Sequence, residues 1–151
     1  CLLDNIVLPG FLAGLRPRPE VTARGEELME RMGIAELATS GVTEVSGGQL
    51  QRAGICRALI NDPGIVFADE PTGALNSATA LQILDLLGEI HASGTTLVMV
   101  THDAQVAARA DRVLVLVDGR IMEDLLLGGY EEAEGPSRLA TVTEALQRRS
   151  V

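Results

Sequence analysis

The chain has 151 residues, of which 46% are hydrophobic, and this length is sufficient for one domain with a buried core. Its formal net charge is −9, and no basic cluster interrupts that acidity, which disfavours binding to nucleic acid. The two cysteines lie far apart in the sequence and suggest neither a disulfide framework nor a Cys/His metal site, so a reducing cytoplasm is the expected compartment. No apolar run approaches the roughly 18 residues that cross a bilayer, so we expect any link to a membrane to go through a partner.

The first 60 residues are predicted to be mainly helical. An apolar stretch over residues 1–15 is expected to be interrupted at Pro9, and a helix is predicted over residues 20–32 from the apolar face that it would form. A further helix is predicted over residues 50–60, with Ser46 ahead of it as a favourable N-cap.

The Ser-Gly-Gly sequence before this helix has two interpretations. Gly47 and Gly48 carry no side chain, so an anion such as a phosphate could approach the first backbone N–H groups at the positive end of the helix dipole. The alternative is an ordinary serine-capped helix with a flexible lead-in. The motif alone does not decide between them.

A second motif follows an apolar run. Residues 65–68 lead into Asp69 and Glu70, and Pro-Thr-Gly then stops the pattern, which predicts a short buried strand in a parallel sheet covered by helices. Ligands bind at the carboxyl ends of such strands. One carboxylate could hold Mg²⁺ through its oxygens while the other orients a water molecule and accepts its proton. The alternative is that the pair is only the solvated start of a loop.

A helix predicted over residues 77–91 and a second apolar strand over residues 95–101 complete a strand-helix-strand unit. Such units are normally right-handed with parallel strands, so both strands end at the same edge of the sheet. His102 is therefore expected beside Glu70. A histidine at this position is either part of a site or a satisfied surface residue.

The remaining chain predicts structure but no further chemistry. We expect a strand over residues 112–117, a type I′ hairpin turn at Asp118-Gly119, an acidic loop over residues 128–135 and an amphipathic helix over residues 136–149. We assign the terminal helix no function.

Four ordered motifs together resemble the nucleotide-binding subunit of ABC transporters. The segments 45–49, 69–73, 74–76 and 101–103 match that family's signature, Walker B segment, D-loop and H-loop, and the likeness covers about residues 1–123. The Asp-Glu-Pro-Thr-Gly form is most similar to the subgroup that exports macrolides or extracts lipoproteins. The resemblance implies an α/β fold with a P-loop NTPase-like (RecA-like) parallel sheet and an N-terminal helical subdomain.

By the same resemblance, functional roles transfer position by position. Asp69 would hold Mg²⁺, usually through water, Glu70 would polarise the attacking water, and His102 would contact the γ-phosphate of ATP. The signature and D-loop residues would contact ATP carried by a second subunit of a head-to-tail dimer: Ser46, Gly47, Gly48, Gln49 and Asn76. Asn76 stands where the family usually has Asp, and the lost charge bears on coupling between the two sites. Transmembrane permease subunits would be the other partners, which places the chain in the cytoplasm on the inner face of the cell membrane.

The family's P-loop is absent from the sequence, because the motif requires a lysine and all 12 basic residues are arginines. We therefore expect this chain to be the C-terminal part of a longer ATPase, active when complete and inactive alone, with an incomplete sheet. Its expected divisions are a helical subdomain over residues 1–60, part of the RecA-like core over 61–127, and an acidic loop and helix over 128–151. Two alternatives remain: a truncated or degenerate module that contributes only its signature face to a partner, and a non-transport ABC-type ATPase of DNA repair or translation.

Overall fold

The computed structural model describes residues 1–148. The chain divides into two compact units, the first from Cys1 to Val100 and the second from Thr101 onward. Over the described range, no helix is both long enough and apolar enough to span a membrane. The predicted division at residues 60 and 127 stays a prediction.

The first unit is built from helices and a pair of parallel strands. In chain order these are α1 (Leu2–Ala13), α2 (Arg18–Arg31), a 3-10 turn (Ala35–Leu37), α3 (Gly47–Leu59), β1 (Ile65–Asp69), α4 (Ser77–Ala92) and β2 (Thr96–Val100). From α2 onward, each helix and strand lies where the sequence predicted it. Their ends shift by up to three residues, and the largest shift is at the start of α3, which begins at Gly47 instead of residue 50.

The predicted interruption at Pro9 is wrong, because α1 continues through it to Ala13. Proline removes one backbone hydrogen bond from a helix interior and crowds the preceding turn. Here tertiary packing opposes that cost. Ile6 and Val7 are fully buried, and Gly10 lies so close to α2 that a Cβ built on it would be 2.5 Å from Cγ1 of Val21. The helix ends only at Gly14, which has a φ of 65°.

The two strands of the first unit pair in parallel, with Asp69 opposite Val100 at their carboxyl ends, as the strand-helix-strand pattern predicted. One face of this sheet packs on the hydrophobic core through Val66, Leu97 and Met99. The opposite face is open, and Phe67 is 78% exposed. The prediction of a strand covered on both faces is therefore wrong. A continuous apolar run indicated burial but did not indicate that the helices of this unit pack on one face only.

The second unit contains a β-hairpin and two helices within its described residues. Its elements are α5 (Ala104–Ala107), β3 (Arg112–Val117), β4 (Arg120–Leu126), a 3-10 turn (Glu132–Glu134) and α6 (Gly135–Gln147). Asp118 and Gly119 have φ values of 48° and 73°, as the predicted type I′ turn requires. The predicted acidic loop contains the 3-10 turn, and the predicted end of the last helix at residue 149 lies outside the described residues.

A buried arginine organises the second unit. Arg138 of α6 is only 4% exposed, and its guanidinium donates four hydrogen bonds to backbone carbonyls at 2.7–2.9 Å. The acceptors lie in two separate loops: Ala108, Ala110, Gly128 and Gly129. One side chain therefore satisfies carbonyls that would otherwise lack partners.

Candidate functional site

A cleft of about 440 Å³ lies between the first turns of α3 and α4. All five residues that the sequence predicted to contact nucleotide from a second subunit line this cleft: Ser46, Gly47, Gly48, Gln49 and Asn76. They come from two segments separated by β1, so the fold brings together motifs that are distant in the sequence. Their role in binding nucleotide stays a prediction.

The α3 end of the cleft is organised by a capping box. The Ser46 hydroxyl oxygen accepts a hydrogen bond from the Gln49 backbone N–H at 3.3 Å, and the Gln49 side-chain oxygen accepts one from the Ser46 backbone N–H at 2.8 Å. These bonds use acceptor atoms only, so the hydroxyl hydrogen of Ser46 and the side-chain NH₂ of Gln49 remain as donors. The N–H groups of Gly47 and Gly48 also have no partner within the helix, because they belong to its first turn.

The α4 end of the cleft has a second capped helix terminus. The Asn76 side-chain oxygen accepts a hydrogen bond from the Thr79 backbone N–H at 3.0 Å. Asparagine and aspartate are both strong N-cap residues, so the local structure does not require one rather than the other. The exchange of the family's usual Asp for Asn therefore removes a charge from the cleft while leaving the cap in place.

The glycines of the signature segment are not equivalent. A Cβ built on Gly48 would lie 2.6 Å from Cγ2 of Thr79, whereas the nearest atom to a Cβ on Gly47 is Cδ2 of Leu75 at 3.9 Å. Gly48 is therefore needed for the close approach of α3 to α4. Gly47 is exposed, and its missing side chain leaves the helix terminus open to solvent.

The lining of the cleft favours an anion. Two helix N-termini point their positive dipole ends toward it, and Arg52 is its one cationic residue. None of its lining residues is a carboxylate, although the whole chain carries a net charge of −9. The lining is completed by residues of the α2–α3 segment, of the loop before α4 and of α4 itself: Gly33, Ile34, Ala74, Leu75, Thr79 and Gln82.

Sequence reasoning missed Arg52 and Gln82 as parts of this cleft. Arg52 lies six positions after Ser46, so its place on the signature helix was visible in the sequence. Gln82 lies on α4, and only the pairing of the two helices brings it to the same cleft. That pairing left no signal in the sequence.

The predicted carboxylate pair lies at the end of β1, and the two residues differ in backbone conformation. Asp69 is the last strand residue and is exposed. Glu70 has a φ of 42°, in the left-handed region that residues other than glycine seldom adopt. Its backbone N–H donates to the Val100 carbonyl at 2.9 Å, which ties it to the end of β2. The direction of the Glu70 side chain is therefore set by this turn and not by strand alternation.

The turn after Glu70 leaves room beside its carboxylate. The Gly73 N–H donates to the Glu70 carbonyl at 3.2 Å and closes the turn. A Cβ built on Gly73 would lie 3.8 Å from Oε2 of Glu70, so the carboxylate lies against a position that has no side chain. Strained residues of this kind cost about 1–3 kcal/mol and cluster at functional sites.

Asp69 fits one part of a magnesium site. Within residues 1–148, no group of three or more His, Cys, Asp or Glu side chains could enclose a metal ion. Mg²⁺ keeps several water ligands and is usually bound through one or two carboxylates together with substrate phosphates. A single exposed carboxylate at a strand end suits that mode of binding.

His102 lies two residues beyond β2, in the second unit. Its neighbours hold the backbone there: the Asp103 N–H donates to the Thr101 hydroxyl at 3.1 Å, and Asp103 in turn caps α5 by accepting from the Gln105 N–H at 2.7 Å. Its predicted place beside Glu70 stays a prediction.

Comparison with known proteins identifies relatives of the chain. The ABC transporter family model matches residues 3–73. The macrolide export ATP-binding/permease protein MacB of Rhodospirillum rubrum is 46% identical over 121 residues, which is 80% of this chain and 18% of that protein. The MacB protein of Hyphomonas neptunium is 40% identical over 153 residues, which is 95% of this chain and 24% of that protein. The chain thus spans about a fifth of the length of the curated relatives that it matches.

Solved structures of ATP-binding cassettes share the fold. The dimeric bacterial ABC transporter cassette MJ0796 is 37% identical with a TM-score of 0.73, and the match covers 85% of this chain and 57% of that one. The ADP conformation of the cassette MJ1267 gives a TM-score of 0.76 at 23% identity over 97% of this chain and 62% of that one, and this likeness shows the fold alone. The predicted α/β, P-loop NTPase-like fold class is therefore confirmed. The chain belongs to the ABC transporter family, as an ATP-binding segment similar to those of macrolide-export proteins.

Proposed function

We propose that this chain is part of an ATPase that energises transport across a membrane, and that the cleft between α3 and α4 binds the terminal phosphate of ATP carried by a second subunit. One observation carries the proposal. In a strongly acidic chain, this cleft is lined by hydrogen-bond donors, two positive helix ends and Arg52, with no carboxylate among its lining residues. A triphosphate is the anion that best matches such a surface in a member of this family.

The first turn of α3 supplies the donors for this phosphate. The hydroxyl hydrogen of Ser46, the N–H groups of Gly47 and Gly48, and the side-chain NH₂ of Gln49 are all free of acceptors within the capping box. Phosphoryl transfer depends mainly on positioning and on stabilising the charge of the transferring group. Donors fixed before the ligand arrives need no reorganisation during the reaction. The cleft contains neither a base nor a metal ligand, so it would complete a site but not supply its chemistry.

The carboxylates at the end of β1 are proposed to serve the nucleotide held by this chain's own subunit. Asp69 would hold Mg²⁺, which supplies charge neutralisation on the phosphates when bound. Glu70 would orient the attacking water and accept its proton, and the left-handed turn sets the direction in which its side chain leaves the backbone. His102 would contact the γ-phosphate.

The proposed partners follow from this division of roles. If the signature cleft and the carboxylates serve different nucleotides, two ATP-binding subunits must pair head to tail. The relatives' names, which join ATP-binding and permease, and the dimeric structure of the MJ0796 cassette support such an assembly. We place the chain in the cytoplasm against the inner face of the cell membrane, where it would drive a transmembrane permease.

Substitution of Glu70 by Gln in the natural full-length protein tests this proposal. We expect loss of ATP turnover with ATP binding retained, because Gln keeps the shape of the side chain but cannot accept the proton. The matched control is Glu89→Gln on α4, which neutralises an exposed carboxylate outside both the cleft and the strand ends. Full turnover in the Glu70→Gln protein would contradict the catalytic role.

A non-catalytic module is the second candidate, and the uncharged Asn76 in the cleft favours it. Such a module would contribute its signature face to a partner that performs hydrolysis. It predicts that Gly47→Asp abolishes turnover of the assembly whereas Glu70→Gln does not. The two variants therefore separate the candidates.

A further inference from the structure

We propose that Arg52 is a positioning residue, whose guanidinium holds the first turn of α3 at a fixed distance from α4 by binding Gln82 while it is anchored on the end of α2. This inference rests on the proposed function of the cleft, because the distance that it controls is the width of the proposed phosphate site. The charge of Arg52 adds to the positive potential of the cleft, but its guanidinium is not proposed to touch the nucleotide.

The Arg52 guanidinium is anchored on the end of α2. Nη1 of Arg52 donates to the Met32 carbonyl at 2.7 Å. Met32 is the C-cap of α2 and is 2% exposed, so its carbonyl is one of the last of that helix and lies in packed surroundings. A cation there satisfies a carbonyl that has no intrahelical partner and meets the negative end of the helix dipole.

The same guanidinium also contacts α4. Nη2 of Arg52 donates to the side-chain oxygen of Gln82 at 2.8 Å. One planar group thus joins three helices, since Arg52 lies on α3, Met32 ends α2 and Gln82 lies on α4. Its two donors are held in a rigid fork, which is the geometry that can serve two separate acceptors at once.

The contacts between α3 and α4 are regularly spaced along both helices. Gly48 and Arg52 are four residues apart on α3, and their respective neighbours Thr79 and Gln82 are three residues apart on α4. Such spacings place residues on one face of a helix. The two helices therefore meet along one line, where the Gly48–Thr79 contact limits their approach and the Arg52–Gln82 bond opposes their separation.

Loss of the Arg52–Gln82 bond is expected to change ATP turnover rather than ATP binding. Under the proposed function, nucleotide is held mainly by another subunit, and this cleft only completes the site around the terminal phosphate. A shift of α3 away from α4 would displace the donors of the first turn without removing them. We expect such displacement to lower kcat and to leave the affinity for ATP unchanged.

The test compares Arg52→Gln, Arg52→Lys, Gln82→Met and the double variant Arg52→Gln/Gln82→Met in the natural full-length protein. Methionine keeps the length of Gln82 and removes its acceptor. The matched control is Arg57→Gln, which removes an exposed charge from the same helix. For each variant, the kcat of ATP hydrolysis, the Kd for ATP and the thermal midpoint are measured.

We expect both single neutral variants to lower kcat by about threefold to tenfold, as the loss of one partly exposed hydrogen bond to a charged group implies. The double variant should lose no more than the Arg52 variant, because both changes break the same bond. Arg52→Lys should remain impaired, since one ammonium group lacks the fork. Arg57→Gln should match the unmodified protein.

Three results would overturn the inference: unchanged kcat in Arg52→Gln or Gln82→Met, losses that multiply in the double variant, or full activity in Arg52→Lys. In the first of these cases, a lower thermal midpoint beside the unchanged kcat would assign Arg52 a purely structural role. The Glu70→Gln variant is measured alongside. If it abolishes turnover while the Arg52 variants do not affect it, only the inference fails; if it leaves turnover intact, the proposed function itself fails.

Discussion

Addition of one methyl group at Gly48 tests the close approach of α3 and α4 that shapes the cleft. A Cβ on Gly48 would lie 2.6 Å from Cγ2 of Thr79, far inside van der Waals contact. Thr79 is β-branched and held in a helix, so it has few rotamers through which to withdraw. Either Thr79 or the first turn of α3 must therefore move. Forcing a methyl group into packed surroundings typically costs about 1–3 kcal/mol.

Gly47 provides the matched control, because a Cβ there would meet only Cδ2 of Leu75, at 3.9 Å. Both glycines lie in the first turn of α3, where replacement of Gly by Ala stabilises a helix by up to about 1 kcal/mol. The difference between Gly48→Ala and Gly47→Ala thus isolates the contact with Thr79. We expect Gly48→Ala to be less stable than Gly47→Ala by about 1–3 kcal/mol.

The assay is urea unfolding of both variants, followed by circular dichroism. A second pair of proteins locates the cause: Thr79→Ala alone, and Thr79→Ala combined with Gly48→Ala. Removal of Cγ2 should recover most of the stability lost in Gly48→Ala, because the atom that the new methyl group strikes is gone. Equal stability of Gly48→Ala and Gly47→Ala, or failure of Thr79→Ala to recover the loss, would refute the packing argument.

Three further predictions concern other parts of the chain. Asn76→Ala should lower the free energy of unfolding by about 1 kcal/mol in urea unfolding, because it removes the cap of α4. Asn76→Asp should keep the cap and leave ATP turnover of the full-length protein unchanged or raised. A clear drop in turnover would show that Asn is required. Hydrogen bonding from Arg16, together with the charge of Arg24, holds the pKa of the Asp62 carboxyl below its ordinary value of 3.8. The ionised carboxylate therefore stabilises the folded chain fully above pH 3.8, and this stabilisation is lost as the pH falls through the lowered pKa of the folded state. Asp62→Asn should therefore be less stable than the unmodified chain at pH 7, and the difference should close below about pH 3.8; a pH-independent difference would contradict the ion-pair account. Arg138→Lys should destabilise the second unit by about 3 kcal/mol in hydrogen-exchange measurements, because carbonyls in two loops lose their donor. A loss of stability within error of zero would show that water replaces the guanidinium.

Features specified by local sequence were predictable. The Ser46 cap needs only the residues that follow it, and the Asp118-Gly119 turn needs only its own two backbone conformations. The parallel pairing of β1 and β2 followed from the length of the intervening helix. These elements form because short-range hydrogen bonding and connection length favour one structure.

Features that depend on tertiary packing were not predictable in the same way. Pro9 lies within α1 because neighbouring side chains are buried against α2, and the exposure of Phe67 depends on which face of the sheet the helices cover. The contacts of Arg52 with Gln82 and of Gly48 with Thr79 require the pairing of α3 with α4. The sequence thus predicted five residues that line the cleft, but neither Arg52 and Gln82 nor the contacts that fix the distance between α3 and α4.

The central claim is that the signature cleft and the Glu70 carboxylate act on nucleotides of different subunits, and mixing two inactive variants tests it most directly. Gly47→Asp places a carboxylate in the first turn of α3, where it is compatible with the helix dipole but repels a phosphate. Glu70→Gln removes the proposed base. In a mixed dimer of the two full-length variants, one composite site would carry neither change. The account predicts that the mixture regains ATP turnover that neither variant has alone. A mixture as inactive as its components would contradict it.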